Sequence, residues 1–174
     1  MPRPYAAALP TAYVFLRILI VLNWLGGAAI LALLTATIVA EQWTFTALGI
    51  DMTSGIPASI MGLRAIAALG LVGVPLNDAI LRRLVAIVLT VRRGDPFIAA
   101  NADRIRIIGW ALLGLQLVSI VVGAIGEAVS TPANPVHLDA GFSTSGWLAV
   151  ILTFVLAHIF AEGTMMRQDL EGTV

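Results

Sequence analysis

The sequence predicts an all-α fold: a four-transmembrane-helix bundle with a cytoplasmic amphipathic helical connection between spans two and three. Three observations carry that expectation. Apolar side chains make up 59% of the 174 residues and charged ones only 11%, whereas a soluble domain is about a quarter charged. The mean hydropathy is +0.97. Four stretches approach the length of about 20 apolar residues that a bilayer demands, and the arginines fall between them in an alternating pattern. Disorder, a coiled coil and a nucleic-acid-binding module are excluded by the same totals. Four spans occupy roughly 80 positions, which leaves a single integral membrane domain over residues 1–174 with short loops and one longer connection. The absence of cysteine rules out disulfides, thiolate metal sites and cysteine nucleophiles.

The first span is expected over residues 14–40. From Ile18 it has 23 residues without a charge, longer than a hydrocarbon core of about 30 Å requires. Tyr13 and Trp43 flank it at depths favoured by amphipathic rings, and Arg17 is close enough to the start to snorkel. The run is too long for a signal-peptide core and is read as a mature span. The second span is placed at 56–76, opened by Pro57 and bent or ended by Pro75. A shifted version over 63–85 would bring Arg64 to the interface but draw Asp78 and Arg82 inward, so charge count favours the first. The third span is 107–126, uncharged throughout, with Trp110 near one end. The fourth is 145–165, with Trp147 near its start and His158 and Glu162 in its last third.

Orientation follows from the arginines. Arg3 and Arg17 precede or begin span one, Arg82, Arg83, Arg92, Arg93, Arg104 and Arg106 lie between spans two and three, and Arg167 is in the tail. The loops at 41–55 and 127–144 have none. The positive-inside rule then puts both termini and the middle connection in the cytoplasm.

The connection, residues 77–106, is too long for a simple hairpin. Asp78, Arg82 and Arg93, with Thr90, group near one helical face while Leu81, Leu84, Val85, Val88 and Leu89 occupy the rest. This suits either a cytosolic extension of span two or an amphipathic helix in the interface plane, where arginines attract anionic headgroups. Gly94 is the expected C′ residue after Arg92 and Arg93. Asp95-Pro96 reads as an N-cap followed by Pro at N1, with a short helix starting there or at Asn101.

Arg64 is the costliest residue to place in a span. It is expected to snorkel or to pair with Glu41, Asp51 or Glu127 and lock the bundle; an anion-binding or gating charge is the functional alternative. His158 and Glu162 stand one turn apart on one face, suited to hydrogen bonding, pH sensing or a partial metal site. His137 belongs to the outer loop, so no metal set assembles and no metal or cofactor is expected. Asn23, Gln116, Thr35 and Thr37 read as interhelical hydrogen-bond donors and acceptors. Gly70-Leu71-Val72-Gly73 spaces small residues three apart rather than the four of GxxxG, leaving a homo-oligomer open. No Walker motif, dinucleotide fingerprint, HExxH or serine elbow is present, and the chain is not expected to be an enzyme.

Arg93-Gly94-Asp95-Pro96-Phe97, followed by Asn101 and by Arg104-Ile105-Arg106-Ile107-Ile108-Gly109-Trp110, resembles the central signature of the DUF2975 family of small bacterial membrane proteins. The segment from Leu156-Ala157-His158 through Glu162-Gly163 to Asp169-Leu170-Glu171 resembles that family's C-terminus. The resemblance implies a multi-pass protein of the bacterial cytoplasmic membrane. It also implies a cytosolic helix-turn-helix regulator as partner, since members are commonly encoded beside one. With Arg64 from its cost in a span and Arg92 from the arginine-rich connection, the candidate interaction or functional residues are Arg64, Arg92, Arg93, Asp95, Pro96, Phe97, Asn101, Arg104, His158, Glu162, Asp169 and Glu171. Two function classes follow. One is a non-enzymatic regulatory or interaction protein, its partners being the lipid bilayer and the regulator, with no direct nucleic-acid contact. The alternative is a small transporter, channel subunit or ligand-binding bundle built on Arg64, Asn23 and Gln116.

Overall fold

A computed structural model describes residues 8–47, 57–130 and 139–171. The described residues are helical throughout apart from short connections. The elements are α1 (Ala8–Val39), α2 (Glu41–Ala47), α3 (Pro57–Arg92), α4 (Ala99–Val129) and α5 (Thr144–Glu171). Four of them contain stretches long and apolar enough to cross a membrane: Leu9–Val39, Ile60–Arg92, Ala99–Val129 and Thr144–Arg167. With large side chains such as Phe15, Leu25, Leu152 and Ile159 more than half exposed on α1 and α5, these helices offer their surfaces to lipid. The chain is a multi-pass membrane protein.

Several sequence expectations are revised. Pro75 does not end a helix: α3 passes through it for 36 residues. A proline removes one backbone donor, and within a membrane helix neighbouring groups and small local adjustments absorb the loss. Residues 77–92 are thus a direct extension of the second apolar helix, not a separate one. Asp95-Pro96 is no N-cap either, because α4 starts only at Ala99. The Asp95 amide is consumed in terminating α3, and its carboxylate is taken by Arg167. The short α2 falls where a plain loop was expected. Its Thr44 is buried, and its hydroxyl lies 3.1 Å from the Ala36 carbonyl and 2.9 Å from the Ala40 carbonyl, each of which also accepts a backbone N–H. Thr35 and Thr37 bond back to Leu31 and Leu34 of their own helix rather than across helices.

The end of α3 is as Gly94 predicts. Its φ is 87°, its N–H reaches the Val91 carbonyl at 3.0 Å, and the Asp95 N–H reaches Thr90 at 3.2 Å. These are the two bonds of a Schellman cap. An L side chain in this left-handed conformation costs about 1–2 kcal/mol. Gly94→Ala is therefore expected to lower stability by about 1 kcal/mol and Gly94→Asn by less, measured as thermal unfolding in detergent.

Contacts divide the chain into two units. One comprises residues 1–23, 76–114 and 144–174; the other comprises 24–75 and 115–143. In the first, α3 and α4 run antiparallel: Leu76 packs on Gly114 and Thr90 meets Asn101. The α5 helix runs antiparallel to α4, with Phe154 against Gly109 and edge-on to Trp110 at 5.3 Å. Ile105, Ile108, Ala111, Val150 and Ala157 form its apolar interior. In the second, α1 meets α3 through Gly27 on Val74 and Ile30 on Gly70, and α3 meets α4 through Gly62 on Val129. Small residues at these crossings let helices approach closely, which is how helices associate where lipid removes the hydrophobic driving force.

Candidate functional site

Asn101 is the only large side chain in the described residues that is fully buried, at 0% exposure. It lies in the first turn of α4, and every hydrogen-bonding atom of its amide is used. The Nδ2 group donates to the Thr90 hydroxyl (2.7 Å) and to the Pro96 carbonyl (2.8 Å), while Oδ1 accepts from Arg104 (2.7 Å). Thr90 passes its own proton to the Ile87 carbonyl at 2.7 Å. One amide therefore ties the end of α3, the 95–98 turn and the start of α4. Its two donors and one acceptor match partners of opposite kind, so the amide has one favourable orientation.

The turn is held from α5 as well. Phe97 stacks on Phe160 with ring centroids 5.2 Å apart and lies over Gly163, an arrangement worth about 0.5–1.5 kcal/mol beyond area. Asp95 pairs with Arg167, both about half exposed, so this pair contributes at most about 1 kcal/mol. Outside this frame, Arg92 and Arg93 are exposed and have no side-chain partner among the described residues. Phe97 remains 44% exposed despite its stacking.

Of the candidate residues, Arg92, Arg93, Asp95, Pro96, Phe97, Asn101 and Arg104 are brought together around this turn. Thr90, Phe160 and Arg167 complete it. The grouping of Thr90 with Asp78, Arg82 and Arg93 near one helical face pointed to Thr90, whereas no sequence period links Phe160 to Phe97. His158 and Glu162 form a pair at 3.1 Å on the exposed face of α5. The contacts of Phe154 with Gly109 and of Phe97 with Gly163 set their height: His158 is level with Ile105 and Glu162 with Asn101. They belong to the arginine-bearing edge rather than mid-bilayer. Among the described residues no three His, Asp or Glu side chains gather as metal ligands would. Asp169 and Glu171 are on the last turns of α5, and their side chains lie outside the described residues.

Arg64 belongs to the other unit. It donates from Nη2 to the Thr37 carbonyl and to Glu41 at 3.2 Å, while its Nε is buried without a partner among the described residues. Thr37 is in the last turn of α1, where open carbonyls and the negative end of the helix dipole favour a cation. Of the three acids expected to pair with it, Glu41 does; Asp51 lies outside the described residues. Gln116 is 7% exposed and its Nε2 has no partner among the described residues.

The family described as "Protein of unknown function (DUF2975)" matches residues 67–174. That stretch includes the whole turn, the start of α4 and all of α5. No curated protein and no solved structure matches the chain.

Proposed function

This chain belongs to the DUF2975 family, and we propose that it is a non-enzymatic membrane regulatory protein whose arginine-bearing end tethers or senses a cytosolic helix-turn-helix transcription regulator. The observation that carries this is the Asn101 network. It spends a completely buried amide on fixing a turn whose outer side presents Arg92, Arg93 and Phe97. Such a turn is a rigid scaffold for exposed groups, and an aromatic beside unpaired arginines is the composition of an interaction hot spot. The positive-inside rule supports a cytoplasmic location for this end and for both termini.

The height of the two arginines matters. From Arg83 to Arg92 is nine residues of continuous α3, about 14 Å along the axis. A headgroup layer is only about 5–8 Å thick on each side, so Arg92 and Arg93 project beyond it when Arg83 marks the membrane edge. A cationic surface of that kind favours an acidic patch on the partner. It leaves the regulator's basic DNA-reading helix unoccupied.

The test is affinity capture on the full chain in mild detergent, from growing and from stressed cells. A protein carrying a helix-turn-helix is expected to be retained at low salt and released as salt rises. The double variant Arg92→Glu/Arg93→Glu is expected to weaken retention at least tenfold with the melting temperature nearly unchanged. Capture of no such regulator under either condition, or undiminished capture by the double variant, would overturn the proposal.

A further inference from the structure

We propose that the non-helical stretch 139–143 lines a water-filled recess, open on the side opposite the arginine-bearing end, that admits water and small hydrophilic cations below the membrane surface. Two registers, one from each unit, set the depth of this stretch. On α4 the residues between Arg106 and Glu127 carry no charge, and together they measure about 30 Å, the thickness of a hydrocarbon core. Gly123 is four residues inside Glu127 and Ser119 eight, which is about 6 and 12 Å. Gly141 touches both. Its Cα and nitrogen lie 2.7 and 2.9 Å from where a Gly123 Cβ would stand, and it exchanges two hydrogen bonds with the Ser119 hydroxyl. Its backbone is therefore held roughly 6–12 Å inside the level of Glu127.

In the other unit, Phe154 of α5 packs on Gly109, two residues into the uncharged stretch. Thr144, where α5 begins, is ten residues before Phe154, so the helix reaches only about 18 Å from the level of Ile107. About 12 Å of a 30 Å core is left to the chain ahead of it. The α5 helix is long enough to cross, but its register shifts it toward the arginine-bearing end, and non-helical chain completes the passage.

Non-helical backbone persists at such depth only where protein buries it or water lines it, because lipid offers no hydrogen bonds. Protein does not bury this stretch: Asp139 and Phe142 are exposed, and Ala140, Gly141 and Ser143 are only partly covered. Water meets the requirement. Asp139 adds to it, since an ionised carboxylate is costly against lipid and belongs at a wet rim. No arginine lies between residues 107 and 144, whereas Glu127 and Asp139 do, so the entrance attracts cations and repels anions. The recess is independent of any cytosolic protein partner.

The experiment places single thiols in the full chain, which has no cysteine of its own, and uses lipid nanodiscs. Reaction with membrane-impermeant thiosulfonates, one cationic and one anionic, is timed by intact-protein mass. Ser143→Cys and Ala140→Cys, both small changes, are expected to react about tenfold faster or more than Val121→Cys, because only a thiolate reacts and apolar surroundings suppress it. Val121 is between Ser119 and Gly123 in height but is 46% exposed on another face of α4. At Ser143→Cys the cationic reagent should outpace the anionic one about threefold, after correction for their rates with free cysteine, the effect of one charge nearby in water. Asp139→Asn should remove that preference. Reaction of both Ser143→Cys and Ala140→Cys as slow as that of Val121→Cys would overturn the recess. Rapid reaction of Val121→Cys would overturn it equally, by putting this level outside the hydrocarbon. Equal corrected rates for the two reagents with Asp139 in place would overturn the selection of cations.

Discussion

Asn101→Leu is expected to destabilise the protein by about 2–3 kcal/mol, among the largest effects of any single substitution at the arginine-bearing end. The leucine occupies a similar volume, so the loss is one of hydrogen bonding. The Pro96 carbonyl forfeits its donor from Asn101, Arg104 forfeits its acceptor, and Thr90 keeps only its bond to Ile87. A buried group left unsatisfied costs about 1–3 kcal/mol, while Arg104, half-buried, recovers part of its loss from water or headgroups. Asn101→Asp separates this from packing: it has the same shape, retains the acceptor for Arg104, and turns a second oxygen toward the Pro96 carbonyl. It should be at least as damaging as leucine. For a chain of this size each kcal/mol shifts Tm by about 2–4 °C, so a drop of roughly 5–10 °C in detergent is the expected reading. A wild-type Tm in Asn101→Asp would show that the amide donors do not hold the turn. Because Arg92 and Arg93 depend on that turn for their placement, capture of the regulator should fall with it.

The sequence disclosed the parts of this molecule governed by transfer free energy and by local backbone rules. Four apolar stretches, the clustering of arginines and the left-handed glycine at 94 are properties of a residue and its near neighbours, and each has its counterpart in the helices and the α3 cap. The pairing of Arg64 was legible as a short set of acids because a cation in a span needs one nearby. What was hidden depends on register between helices. That Asn101 meets Thr90, or that Phe97 meets Phe160, follows from how α3, α4 and α5 are shifted along one another, and periodicity along a single helix is silent about such shifts. That Pro75 does not end its helix has a different cause. Its rule is calibrated on helices whose lost bond water can replace, whereas in a membrane the remaining backbone bonds are too costly to abandon, so the helix continues. Asp95-Pro96 looked like a helix start because the local chemistry was right; a tertiary partner, Arg167, claimed the carboxylate instead.

Gly123→Ala is expected to cost about 3 kcal/mol, the upper end for overpacking a well-filled interior. A Cβ there would lie 2.7 Å from the Gly141 Cα, 2.9 Å from the Gly141 nitrogen and 2.9 Å from the Ala140 oxygen. All three are backbone atoms, with no flexible side chain to turn aside. The segment ahead of α5 is non-helical, yet it packs on the uncharged part of α4, where each unmatched N–H or C=O is expensive. Ser119 meets that demand: its hydroxyl accepts from the Gly141 N–H at 3.1 Å and donates to the Gly141 carbonyl at 3.3 Å. Displacing Gly141 to admit a methyl group therefore breaks the serine bonds as well, and the two sites act on one structure. Ser119→Ala alone should cost about 1–3 kcal/mol. The double variant should cost less than the two single losses combined, since the bonds can be lost only once. Thermal unfolding of the four proteins in one detergent reads this directly, and additive losses would mean that Gly123 and Ser119 support the segment independently.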